Sequence, residues 1–254
     1  MRKKRWFSAS QLVQIIAAGI ILLGFMLLSL YRIGYEMNFA SLWQFRHRLW
    51  QGFVMTLVIA VASLCLSVLI GAVAALAQKA KIAVVSYLAK IYIQIIRGTP
   101  LLVQIYFFFY IIATSWGIDN RYLAGILILS LFEGAYIAEI IRGGLESIDS
   151  QQYEIARAIG LTSAQTIRLV TFPLLMARIL PALAGQFASI IKDSSLLSVI
   201  AVIEITQTTQ EISAQNFMFF ENYFFLGLQY FVLTFTVSLI TRRLERKYKH
   251  ADNA

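Results

Sequence analysis

The chain has 254 residues, of which 59% are hydrophobic and 14% are charged, and its formal net charge is +9. Its basic residues lie at the ends of apolar blocks rather than along one soluble face, which excludes a nucleic-acid-binding domain and favours a membrane protein. The single cysteine, Cys65, excludes both an intrachain disulfide and a thiolate metal cluster. We therefore expect neither a metal site nor a nucleic-acid partner.

Six apolar blocks predict six membrane-spanning helices, because about 20 apolar residues cross the hydrocarbon core of a bilayer. The predicted spans are Leu12–Leu30, Phe53–Ala77, Pro100–Trp116, Tyr122–Ile141, Pro181–Val202 and Tyr223–Ile240. The first block follows four basic residues, as a signal peptide would, but no clear small-residue cleavage site comes after it. We predict that it is retained as a span; a cleaved signal peptide is the alternative.

Prolines set two of the predicted helix starts. Thr99 precedes Pro100, which is typical of an N-cap followed by proline at the first helical position. Because a residue before proline disfavours helical angles, residues 85–96 should form a separate kinked or interfacial helix. Pro181 is predicted to begin the fifth span. We expect Arg97, Thr99 and Pro100 to have a gating or structural role near the interface, with snorkelling of Arg97 as the alternative.

The distribution of charge predicts the orientation. With six spans, both termini lie on the same side as residues 78–84 and 142–180, and that side carries most of the lysines and arginines. The opposite side carries the acidic residues Glu204, Glu211 and Glu221. The positive-inside rule therefore predicts that both termini are cytoplasmic.

Residues 151–173 interrupt this apolar chain with a polar segment that is rich in small residues. The helical spacing predicts a first helix that ends with Gly160 as its C-terminal cap, and a second helix from about Ser163. Small residues such as Ala156 and Ala158 would allow another backbone to approach closely, which is typical of a helix that docks into a groove. A solvated connector between two spans is the other interpretation.

The same segment resembles the cytoplasmic signature of bacterial ABC importer permeases, which reads E-A-A, three residues, G, nine residues and I-x-L-P. At the same spacing the chain has Glu154-Ile155-Ala156, Gly160 and Val170-Thr171-Phe172-Pro173, with apolar departures at Ile155, Val170 and Phe172. Three other stretches resemble the polar amino-acid branch of this family: Arg97–Gln104, Glu133–Gly144 and Lys192–Ile200. Gln151 stands where the family usually has glycine, and Leu174-Leu175 where it usually has Gln-Ala.

The resemblance implies an all-α integral membrane protein with a five-helix permease core at residues 52–254. Residues 1–51 would add a basic N-terminus, one extra transmembrane helix and an external segment. The coupling segment at 151–173 would dock onto a separate ABC ATPase dimer, which binds ATP and Mg, through Glu154, Ala156, Arg157, Ala158 and Gly160. The other implied partners are a second permease subunit (a homodimer or a sister chain) and an extracytoplasmic amino-acid-binding protein. The complex would import a polar amino acid across the bacterial inner membrane.

The residues themselves bear on the energy source. No glycine is followed by lysine, so the chain lacks the loop that cradles nucleotide phosphates. We expect no catalytic residues, and the energy for transport must come from a partner or from an ion gradient. An ion-gradient-driven secondary amino-acid transporter is therefore the alternative function, and a membrane anchor that only scaffolds a complex is a third.

Charged residues at membrane depth are functional candidates, because burying a charge in lipid is costly. Glu133 lies near the middle of the fourth predicted span, and Lys192 and Asp193 lie in the fifth. They are candidates for binding the ammonium and carboxylate groups of an amino acid, and their excess of acids would favour a cationic cargo. An internal ion pair between Lys192 and either acid is an equal alternative. Glu139 and Arg142 are expected to form an ordinary ion pair.

Overall fold

The structure is a computed structural model that describes residues 9–34 and 38–249. The basic residues Arg2 to Arg5, which contribute to the predicted orientation, lie outside the described residues. Every regular element in the described ranges is helical: α1 Ala9–Ile33, α2 Ala40–Gln44, α3 Arg46–Gln78, α4 Ala83–Gly98, α5 Leu101–Phe107, α6 Arg121–Glu146, α7 Ser150–Ala158, α8 Ser163–Thr166, α9 Phe172–Asp193, α10 Ile205–Asn216 and α11 Phe219–Lys249. Two π-helical segments, Phe108–Ala113 and Ile167–Thr171, follow α5 and α8, and a 3₁₀ segment, Ser194–Ile200, extends α9.

Five helical stretches in the described chain are long and apolar enough to cross a membrane. They are Val13–Ile33, Arg46–Gln78, Arg121–Glu146, Ser163–Ile200 and Phe219–Arg243. A sixth crossing results if Ala83–Gly98 and Leu101–Ala113, which are bent by 113° relative to each other, count as one span. The predicted all-α membrane architecture is confirmed, and five of the six predicted spans correspond to these five stretches. The third predicted span, Pro100–Trp116, overlaps only the second half of the bent pair, Leu101–Ala113.

The chain divides into two compact units between Ala40 and Ser41. The first unit contains α1, whose most apolar window has none of its residues buried within the unit. A helix that is apolar on all sides is typical of a membrane span. The second unit contains α3 to α11, and the domain boundary predicted at residue 52 falls within α3.

Helices α3 and α6 form the most extensive helix pair of the second unit. Small residues recur every four positions along the buried side of each helix: Ser63, Ser67, Gly71 and Ala75 on α3, and Ser130, Gly134 and Ala138 on α6. A Cβ atom on Gly71 would lie 2.6 Å from Cγ2 of Ile137, and one on Gly134 would lie 2.8 Å from Cγ2 of Ile70. Small residues at these positions therefore bring the two backbones close together, as membrane helices require for tight packing.

The prediction that Pro181 begins the fifth span is wrong. Pro181 lies inside α9, which is continuous from Phe172 to Asp193, and the proline in the first turn of this helix is Pro173. Proline leaves one carbonyl of a helix without its internal partner, but membrane helices tolerate this because neighbouring helices, hydroxyl side chains and local changes of helix geometry satisfy the freed group.

The predicted N-cap at Thr99 is also wrong. Thr99 follows the last residue of α4, and its hydroxyl donates to the carbonyl of Ile95 at 2.9 Å and accepts from Nε2 of Gln104 at 2.8 Å. Pro100 is extended, and α5 begins at Leu101. Thr99 therefore serves the bend between α4 and α5 rather than the backbone of α5. The separate helix predicted before this bend is confirmed as α4.

Candidate functional site

A cluster of polar side chains joins the middle of α6 to α9. The side chain of Glu133 is fully buried, and Nε2 of Gln186 donates a hydrogen bond to Oε2 of Glu133. The carboxyl group of Asp193, at the end of α9, is a neighbouring acid that interacts electrostatically with Glu133. We call Glu133, Gln186 and Asp193 the carboxyl cluster. Two acids this close together in membrane-spanning helices can bind a cationic group, which neutralises their negative charge or displaces their protons.

One oxygen of this cluster lacks a partner. Oε1 of Glu133 is buried and accepts no hydrogen bond from the residues that the structure describes. A buried polar atom without a partner costs about 1–3 kcal/mol, so a bound donor at this position would be strongly favoured. Such a donor can be an ammonium group, which carries three N–H bonds.

Lys192 is adjacent to Asp193 in the chain but forms no ion pair with the cluster. Its side chain is exposed, and the ion pairs of the described residues join neither Glu133 nor Asp193 to it. Lys192 acts on Asp193 only through a longer-range electrostatic interaction. The structure thus brings together the two predicted acids, adds Gln186, and does not contain the ion pair that was the alternative.

Gln186 was not among the predicted site residues, because a neutral amide gives no charge signal in an apolar helix. Its spacing could have revealed it. Gln186 and Asp193 are seven residues apart on α9, which places both on one face of the helix. A polar residue two helical turns before a candidate acid was therefore a usable signal.

The predicted ion pair of Glu139 and Arg142 is confirmed, and it extends to α4. Arg142 donates to both carboxylate oxygens of Glu139, at 3.0 and 2.9 Å, and also to Glu146 at 2.6 Å. Arg97 pairs with Glu139 at 3.3 Å, and its guanidinium lies 5.4 Å from the ring centroid of Tyr136. These contacts fix the end of α4, just before the bend, against α6.

The polar segment after α6 forms a well-defined helix with caps at both ends. The Asp149 side chain accepts a hydrogen bond from the first turn of α7. At the other end, Gly160 has a φ of +79°, its N–H donates to Arg157 at 3.0 Å, and the N–H of Leu161 donates to Ala156 at 2.9 Å. This pair of bonds is the Schellman motif, and only glycine adopts this φ without strain. The predicted cap at Gly160 is confirmed.

The second helix of the segment begins where the sequence predicts. Thr162 and Gln165 form a capping box, in which each side chain bonds the other's backbone N–H, and α8 starts at Ser163. Arg178 on α9 donates to the hydroxyl of Ser147 at 2.7 Å, directly after α6. The segment is therefore anchored to the bundle at its start.

Most of α7 is exposed within this chain. Glu154, Arg157 and Ala158 are exposed, and Ile155 and Ile159 are 48% and 68% exposed, which is unusual for isoleucine outside lipid. We call these five residues the α7 face. Ala156 differs, because it is 1% exposed. Its small side chain therefore packs against other residues of this chain.

A second buried acid links three helices on another part of the bundle. The side chain of Glu204 is fully buried, caps α10 by accepting from the N–H of Gln207 at 2.8 Å, and accepts from the hydroxyl of Tyr230 on α11 at 3.0 Å. Thr56 on α3 donates to Glu204 at 3.4 Å. Burial raises the pKa of the Glu204 carboxyl above its ordinary value. From the sequence, Glu204 was expected only to be an external charge, because its burial depends on packing that the sequence does not show.

Residues 67–250 match the family described as the inner membrane component of binding-protein-dependent transport systems. The chain belongs to this family. The permease is 38% identical over 200 residues to the probable glutamine ABC transporter permease protein GlnP of Bacillus subtilis, covering 78% of this chain and 92% of that protein. It is 36% identical over 217 residues to the glutamine transport system permease protein GlnP of Escherichia coli, covering 84% and 99%. The nopaline transport system permease protein NocM of Agrobacterium fabrum is 34% identical, covering 75% and 83%.

Chains in solved structures of ABC transporters also resemble this chain. The permease aligns with a chain of an amino acid ABC transporter crystallised with histidines, with a TM-score of 0.78, 34% identity, and coverage of 84% and 100%. It also shares its fold with a chain of the inward-facing MetNI methionine ABC transporter, with a TM-score of 0.65 at 17% identity and coverage of 84% and 99%. The resemblance to ABC importer permeases is confirmed.

Proposed function

We propose that this permease is the membrane-spanning subunit of an ATP-driven importer that carries a polar amino acid across the inner membrane. The observation that carries the proposal is the capped, exposed α7 helix at the position of the permease signature. Relatives named for glutamine and nopaline transport, and a related amino acid ABC transporter, support an amino acid as the cargo. The chain itself is not catalytic in this proposal, and a separate ATPase dimer binds ATP and Mg.

In this proposal both termini and α7 face the cytoplasm, where the ATPase resides. The lysine and arginine excess on that side supports this orientation. The opposite surface receives an extracytoplasmic amino-acid-binding protein. A second permease subunit, either another copy or a sister chain, completes the translocation path.

Coupling to the ATPase takes place through the α7 face. Ile155 and Ile159 are one helical turn apart, so a groove can cover both at once. Burying a side chain of this kind contributes roughly 1.5–3 kcal/mol, which is enough for a docking anchor. Glu154, Arg157 and Ala158 surround these anchors, while Gly160 fixes the end of the helix and Ala156 supports it from inside.

Cargo binding takes place at the carboxyl cluster. Glu133 and Asp193 receive the ammonium group of the amino acid, and the unpartnered Oε1 of Glu133 accepts one of its N–H bonds. Lys192 is the remaining candidate for the cargo carboxylate, since it is exposed and next to Asp193. Two acids against one base favour a cationic cargo.

The docking proposal is tested by two replacements of Gly160. A Cβ atom there meets nothing within 4 Å, so the isolated chain has space for a side chain, but the φ of +79° strains residues other than glycine. Asparagine tolerates this φ best and keeps the cap, whereas tryptophan carries the φ strain and also adds bulk that a docked partner would meet. We expect Gly160→Asn to retain the ATPase on purification from native membranes and Gly160→Trp to lose it or to hydrolyse ATP without uptake.

Gly117 provides the matched control for this experiment. It also has a positive φ of +68° and nothing within 4 Å, but it lies after the π-helical segment, far along the chain from α7. Gly117→Trp should therefore keep the ATPase bound. Normal uptake by Gly160→Trp would refute docking, and amino-acid transport by the chain alone on an ion gradient would identify a secondary transporter instead.

The cargo proposal is tested by removing charge from the cluster with little change in shape. Glu133→Gln and Asp193→Asn should each change the KM or the selectivity of uptake in proteoliposomes while the ATPase stays bound. Glu204→Gln is the control, because it neutralises an equally buried acid outside the cluster. The assignment is wrong if both cluster variants transport like the wild type.

A further inference from the structure

An apolar groove lies where α3 meets α4, and Leu131 of α6 also contributes to its lining. It has a volume of about 520 Å³, and its lining on α3 and α4 includes Leu69, Val73, Ala77, Val85, Leu88 and Tyr92. We call it the α3–α4 groove. The other side chains named here are aliphatic, and the hydroxyl of Tyr92 already donates to the carbonyl of Leu131 at 2.6 Å. The surface of the groove therefore suits an alkyl chain.

The groove is open in this chain and has the length of one bilayer leaflet. Leu69, Val73 and Leu88 are 64%, 68% and 62% exposed. Along α3, the distance from Leu69 to Lys79 is about 15 Å at the helical rise of 1.5 Å per residue. The hydrocarbon core of a bilayer is about 30 Å thick, so the groove matches half of it.

Two lysines lie where the groove ends. Lys79 follows the last residue of α3, and Lys81 precedes α4 by two positions, so both belong to the turn that joins the two lining helices. Both side chains are exposed, and neither takes part in an ion pair within the part of the chain that the structure describes. Basic residues next to a membrane helix attract anionic lipid head groups.

We propose that the α3–α4 groove binds an anionic phospholipid. One acyl chain lies along Val73 and Leu88, and the phosphate of the head group lies between Lys79 and Lys81. The positive charge at the end of the groove is the reason to assign a lipid rather than an apolar protein segment. The proposal depends on the membrane location of the family and is independent of the cargo and of ATPase coupling.

The head-group contact is tested with phosphatidylglycerol and phosphatidylcholine added to the purified transporter in detergent, with bound lipid counted by native mass spectrometry. Each lysine near a membrane surface strengthens binding of an anionic lipid about fivefold, so the double variant Lys79→Gln and Lys81→Gln should bind phosphatidylglycerol about thirtyfold more weakly. The control is Arg242→Gln with Arg243→Gln, which removes the same charge from the end of α11 and should retain binding. Equal affinity of the wild type for the two lipids would overturn the proposal.

The acyl-chain contact is tested by filling the groove. Val73→Trp should reduce binding of phosphatidylglycerol, whereas Val61→Trp, at a 49% exposed position on the same helix outside the groove, should leave it unchanged. A benzophenone amino acid at position 73 should cross-link to lipid after illumination in vesicles of phosphatidylglycerol. A cross-link to a second copy of the chain, or to α1, would identify another occupant and refute the lipid site.

Discussion

Gly71 offers the most direct test of the contact between α3 and α6. A Cβ atom at this position would lie 2.6 Å from Cγ2 and 2.8 Å from Cβ of Ile137, and 3.0 Å from the backbone nitrogen of Ala138. Two of these three atoms cannot move without the helix backbone, so Gly71→Ala must separate the helices. Overpacking of this kind typically costs about 1–3 kcal/mol.

The control for this variant is Gly227→Ala on α11, where a new Cβ atom meets nothing within 4 Å. Both variants gain roughly 0.8–1.0 kcal/mol of helix propensity, so the difference between them isolates the helix contact. We expect Gly71→Ala to be less stable than Gly227→Ala by about 1–3 kcal/mol.

Thermal unfolding in one detergent measures this difference. Each kcal/mol shifts the Tm of a chain of this size by about 2–4 °C, so the two variants should differ by several degrees. If they melt at the same temperature, the backbones are not in close contact at Gly71, and the small residues of α3 and α6 have no packing role.

Three further predictions concern polar contacts. Because burial raises the pKa of Glu204 above 4.5, the folded state keeps a proton that the unfolded state has released, so the free energy of unfolding should fall as the pH rises from 4.5 through the raised pKa. Denaturant titrations across this range should show the fall in the wild type and its loss in Glu204→Gln. Glu139→Gln removes ion pairs that are partly exposed and should lower the free energy of unfolding by about 1 kcal/mol or less in the same assay. Arg178→Ala removes the hydrogen bond to Ser147, so it should reduce the amount of amino acid imported per ATP hydrolysed while the ATPase stays bound. The control Arg168→Ala should leave this transport ratio unchanged. Equal transport ratios in the two variants would contradict a coupling role for Arg178.

The features that the sequence predicted correctly depend on local chemistry. The spans follow from the length of apolar runs, because lipid accepts only helices that satisfy their own backbone. The end of α7 follows from Gly160, because a positive φ is available to glycine and strained for most other residues. In both cases the residue type alone limits the conformation.

The wrong predictions applied rules from soluble helices to a membrane protein. Pro181 was expected to begin a helix, but the apolar residues before it continue α9 toward Pro173. Thr99 was expected to cap α5, but its hydroxyl is used by Ile95 and Gln104 at the bend. A local motif states which bonds a residue can make, and the surrounding helices determine which of them form.

The remaining features required knowledge of packing between distant segments. Nothing in the local sequence distinguishes Ala156, which is buried, from Ala158, which is exposed. The pairing of Gln186 with Glu133 joins residues on two helices separated by the whole of α7 and α8.

The four-residue repeat of small residues around Gly71, by contrast, was visible in the sequence, and its period is a recognised signal for close helix packing in membranes.

The chain order of these elements connects the two proposed sites. Helix α6 carries Glu133 and leads into α7 through Asp149, and the segment after α7 leads into α9, which carries Gln186 and Asp193. The bond between Arg178 and Ser147 joins α9 to the end of α6 beside the start of α7. In the proposed importer, a displacement of α7 by a docked ATPase would therefore be passed to the two helices whose side chains meet in the carboxyl cluster. Since one hydrogen bond joins Gln186 to Glu133, a small shift of α9 along α6 would break it and would change which protons and cations the acids accept.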